Sequence, residues 1–168
     1  MITLQQPAQA EIRYSPSYEE IASPDTYNQY QNIKRDLFES REGSDFVRRT
    51  ISYAALSRQL AKLARLSRGW DTYKAEAPSS ISIIAASRIG KKFIQLGLVP
   101  DVVVPSSEGG VALCFLRNPK YADVECFNTG EVLAVRYSAN QDPVAWSITL
   151  DDATIDATAA AFSEFFSL

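Results

Sequence analysis

VALCFLRNPKYADVECFNTGEVLAVRY, residues 111–137, reads as three short strands and two turns. Val111–Leu116 is a short apolar run, and Tyr121–Phe127 and Val132–Tyr137 are rich in β-branched and aromatic residues, with Asp123 and Glu125 alternating with apolar residues in the second. The breaks carry turn residues, Asn118-Pro119 and Asn128-Thr129-Gly130. Connections this short join neighbouring antiparallel strands, because a parallel crossover needs a dozen residues or more. A symmetric loop of two or four residues around Asn118-Pro119 puts Val111, Leu113 and Phe115 on the same face as Ala122, Val124 and Cys126. Cys114 then lies opposite Asp123 on the other face. Cysteines on opposite faces cannot meet, so Cys114 and Cys126 are predicted to be free thiols. The outer face is predicted to include Ala112, Cys114, Leu116, Phe127, Val132 and Ala134, a set too apolar to be left bare, so the N-terminal arm, a second copy or a partner is expected to cover it.

Outward from this core the pattern extends by one strand on each side. Val102–Val104 precedes the turn Glu108-Gly109-Gly110, and Val144–Ile148 follows Asn140-Gln141-Asp142-Pro143. Upstream the apolar period changes from 2 to about 3.6. Three helices are predicted there: Asp25 to about Ser40, ended by Glu42-Gly43-Ser44; Thr50 to Ser67; and Ser79 or Ser80 to Leu96. The second carries the stripe Tyr53, Leu56, Leu60, Leu63. The third buries Ile81, Ala85, Ile89, the Lys92 stem, Phe93 and Leu96. A closing helix starts at Asp151 or Asp152 and carries Ile155, Ala159, Phe162 and Phe166. The fold class is α+β: N-terminal helices, an antiparallel meander of about five strands and a C-terminal helix. Residues 1–24 are predicted to be a flexible or loosely docked arm, and residues 25–168 a single domain.

Composition narrows the chemistry. The chain has 168 residues, 46% of them hydrophobic, a net charge of −3 and no histidine. Without histidine the commonest general base and metal ligand is missing. Two cysteines do not make a zinc site alone, so neither metal nor cofactor is expected. No apolar run approaches a membrane span, and the N-terminus does not read as a secretory signal, so the expected location is the cytoplasm. Charge is unevenly placed. Residues 51–100 carry eight basic and two acidic side chains, and residues 101–168 carry three basic and ten acidic. Such polarity draws segments together across a fold or marks a binding face.

Three constellations are candidates for function. Trp70, Asp71 and Tyr73 stand close together between the second and third helices. They form either an aromatic pocket with a carboxylate or a core plug, Trp70, beside a backbone cap, Asp71. Asp123 and Glu125 sit two apart on one strand face, a spacing that suits acid–base work, cation binding or an ordinary wet face. Arg58, Lys62 and Arg65 line the polar side of the second helix, where they could track phosphates or dock an acidic partner.

The segment Gly69-Trp70-Asp71-x-Tyr73-x-Ala75-x-x-Pro78 resembles the G-W-D-G-Y-G-A-x-P signature of a family of small, uncharacterised bacterial proteins. Residues 120–134, KYADVECFNTGEVLA, resemble the same family's later strand and turn. The resemblance spans about residues 65–148 and departs at Thr72 and Lys74, where the family has glycines. It implies a compact bacterial cytosolic domain and no assigned activity. The leading expectation is therefore a non-catalytic module, a regulator or immunity-type protein that binds another protein or a second copy of itself. Nucleic-acid binding through the basic helix face, or a histidine-free enzyme using Asp71, Tyr73, Asp123 and Glu125, are the alternatives.

Overall fold

A computed structural model describes residues 41–71, 74–139 and 141–167. The chain divides into two compact units at Ser44 and Asp45, and the second unit, to Leu168, contains nearly all of the described residues. The predicted arm and first helix lie outside them. The element order is α1 (Arg41–Leu63), α2 (Ser80–Gln95), β1 (Val102–Ser106), β2 (Gly110–Arg117), β3 (Lys120–Phe127), β4 (Val132–Ser138), β5 (Gln141–Ser147) and α3 (Asp152–Ser167). The five strands form one antiparallel meander in sequence order. This is the α+β layout expected from the change of period.

The β2–β3 register has the expected parity. Arg117 pairs with Lys120 across a two-residue loop with a cis Asn118–Pro119 peptide, and Cys114 faces Asp123. Val111, Leu113, Phe115, Ala122, Val124 and Cys126 are all buried on the inner face. Gly110 opens β2 with φ +146°, and a Cβ there would lie 2.2 Å from the Cys126 carbonyl oxygen. Only glycine permits so close an approach of the two backbones.

Helices pack on the inner face. Ala85, Ile89, Phe93 and Ile94 of α2 and Ile155, Ala159 and Phe162 of α3 join the strands in one core. Phe93, Phe115 and Phe162 meet pairwise with ring centroids 5.6–5.9 Å apart. Each such contact contributes about 0.5–1.5 kcal/mol beyond burial. Leu56, Leu60 and Leu63 of α1 complete the core. Leu56 packs into the space that Gly90 of α2 leaves open, where a Cβ would lie 2.8 Å from the Leu56 methyl. At the far end, Lys120 donates to the Phe165 carbonyl at 2.7 Å. It thereby supplies the cation that the last turn of α3 lacks.

Several expectations are corrected. The helix predicted from Thr50 begins at Arg41 and runs through Gly43 and Ser44. Ile81 and Leu96 are 53% and 49% exposed rather than buried. β5 begins at Gln141, so Pro143 is inside an edge strand and not in a turn. Val132 and Ala134 are on the inner face, because they pair with Cys126 and Val124.

Candidate functional site

Every described helix lies on the inner side of the sheet; on the outer face Ala112 and Cys114, in the middle of β2, are buried, and the exposed apolar side chains stand around them. Val102 and Val104 of β1, Leu116 of β2 and Tyr137 of β4 are 40%, 36%, 48% and 43% exposed there. β3 is the central strand, and its outward side chains are Tyr121, Asp123, Glu125 and Phe127. Asp123 lies between Cys114 and Val135, and Glu125 between Ala112 and Leu133. Two carboxylates are thus set in the middle of an apolar surface.

The cluster is internally bonded. The Ser106 hydroxyl donates to Glu125. The Tyr121 hydroxyl lies 3.6 Å from the Cys114 sulfur. Asp123 Oδ1 is shut off from water with no hydrogen-bond partner among the described residues. Burial raises the Asp123 carboxyl above its usual range; a hydrogen bond from Tyr121 opposes the shift and the Glu125 charge adds to it. Burial also pushes up the Cys114 thiol and the Tyr121 hydroxyl. Cys126, buried on the other face, is pushed up to about 12. Both cysteines are free. A nucleophile requires the opposite shift, toward thiolate or phenolate at neutral pH.

Trp70 and Asp71 serve their own loop. The Gly69 amide donates to the Ala75 carbonyl at 2.8 Å, and the Ala75 amide donates to Asp71 Oδ1 at 3.0 Å. The Trp70 indole N–H points to the Glu76 carbonyl at 3.4 Å. Trp70 is half-buried and lies outside the core cluster, so it is not the predicted plug. Asp71 is the backbone cap that was one of its two expected roles. Tyr73 lies outside the described residues. Lys74 has φ +71°, the left-handed region that favours glycine. The Asp71 carboxylate is turned into this loop, whereas Asp123 and Glu125 stand on the sheet.

The sequence places Asn128 in a turn and gives it no further role, yet it ties the β3–β4 turn to the start of α2. Its Oδ1 accepts from the Ser79 amide at 2.7 Å and the Ser82 hydroxyl at 3.0 Å, and its Nδ2 donates to the Ala77 carbonyl at 2.9 Å. Ser79 in turn caps α2, accepting from the Ser82 amide. Ser106 and Tyr121 are further site residues that sequence reasoning missed. The i, i+2 spacing of Tyr121 with Asp123 was the available signal for the second.

Arg58, Lys62 and Arg65 are exposed and form no ion pair among the described residues. The acidic end of the chain is met instead by α2: Arg88 lies 3.2 Å from Asp152 and Lys92 lies 3.1 Å from Asp156. Among the described residues no group of three or more His, Cys, Asp or Glu could hold a metal ion, and no helix is long and apolar enough to cross a membrane. No protein-family model, curated protein or solved structure matches the chain.

Proposed function

We propose that this chain is a non-catalytic protein-interaction module, a regulator or immunity-type protein of the bacterial cytosol, that binds through the exposed apolar side chains on the outer face of its sheet. One observation carries the reading: Val102, Val104, Leu116 and Tyr137 are exposed together on a face that no described helix covers. Several exposed apolar side chains on one face are a feature that often marks an interface. The sheet edges are poor alternatives. Pro105 lies in β1 and Pro143 in β5, the two edge strands, and proline has no N–H to offer an added strand. The protonated thiol and phenol on the face favour binding over covalent chemistry. The likeness of residues 65–148 to small uncharacterised bacterial proteins belongs to this proposal and adds no activity.

The test is a Val104→Asp, Leu116→Asp double variant of the full chain. Both positions are exposed, so the thermal midpoint is expected to change little. A protein that the parent chain retains from host extract is expected to be lost by the variant, and to bind the parent again when both are pure. A retained set indifferent to the two substitutions overturns the reading. A second reading, nucleic-acid binding, is favoured by the cations Arg58, Lys62 and Arg65 on α1, which have no ion-pair partner among the described residues.

A further inference from the structure

We draw no further inference here: the strongest candidate, the groove at the end of the sheet between the β3–β4 turn and the segment after β5, lined by Phe127, Glu131, Leu133, Ile148 and Leu150, is an unpartnered surface for which nothing in the structure shows what covers it.

Discussion

Asn128 joins parts of the chain that are about fifty residues apart in sequence, since its partners are Ala77, Ser79 and Ser82. Each of its three side-chain hydrogen bonds is worth about 1 kcal/mol net, so Asn128→Ala is expected to cost about 3 kcal/mol. Asn128→Asp keeps the Oδ1 acceptor and loses the donor to Ala77, and should fall between the two. Urea midpoints at an unchanged m-value measure both, and an alanine variant as stable as the parent would remove Asn128 as the link. Asp123 makes a pH-dependent contribution of known sign. Its carboxyl is raised in the folded chain, chiefly by burial, so the folded state keeps a proton that the unfolded state has released. Its contribution to stability is therefore complete below the unfolded value of about 4 and is lost as pH rises through the folded value. Asp123→Asn removes this loss. The thermal midpoint of the variant should match the parent near pH 3 and exceed it at pH 7; a difference independent of pH would contradict the assignment. Neither role was legible from the residues alone. Alternation along β3 places Asp123 on a face but cannot show that one of its oxygens is cut off from water. The Asn128 contacts need the register and the helix start to be known together.

Among the elements, the β2–β3 hairpin was the most legible. Alternation along β3, with a symmetric loop that sets the register of β2 against it, fixes which side chains share a face, and Cys114 stands opposite Asp123 as that parity requires. Parity did not carry into β4. The segment from Phe127 to Glu131 separates the paired residues Cys126 and Val132 by an odd count, so Val132 and Ala134 turn inward. The start of α1 was missed because Gly43 and Ser44 read as a break. Glycine costs only about 1 kcal/mol inside a helix, and a long helix can absorb that. Gly110 is where a glycine cannot be replaced. Its φ is +146°, and an alanine methyl in its place would lie 2.2 Å from the Cys126 carbonyl oxygen, so the substitution must force β2 and β3 apart at the point where the strands first meet. Gly110→Ala is expected to cost about 3 kcal/mol or more, from backbone strain together with overpacking. Hydrogen exchange should show protection lost first in β2 and β3. Wild-type protection in those strands with an unchanged melting temperature would contradict the close approach.

Across the whole molecule, the basic middle and acidic end of the chain do attract, but through α2 and α3, where Arg88 and Lys92 meet Asp152 and Asp156. That leaves the α1 stripe of Arg58, Lys62 and Arg65 exposed, with no ion pair among the described residues. The stripe and the outer sheet face lead to different partners, and one variant separates them. Replacing Arg58, Lys62 and Arg65 together with glutamate leaves Leu56, Leu60 and Leu63 in the core, and exposed changes of this kind usually cost within about 0.5 kcal/mol each. If the stripe binds nucleic acid, the parent chain must bind a duplex or single strand at low salt. Its log affinity must then fall with log salt by about 0.9 for each phosphate neutralised on a duplex, and three contacts would give a slope of about −2.7. That slope should disappear in the triple variant. The expected result is instead no measurable nucleic-acid binding by the parent chain even at low salt. The net charge is −3, and residues 101–168 carry ten acidic side chains against three basic, so a polyanion is repelled from most directions. Three exposed cations contribute too little attraction to overcome that field. Tight, salt-dependent binding by the parent that the glutamate variant abolishes would move the functional surface from the sheet to α1.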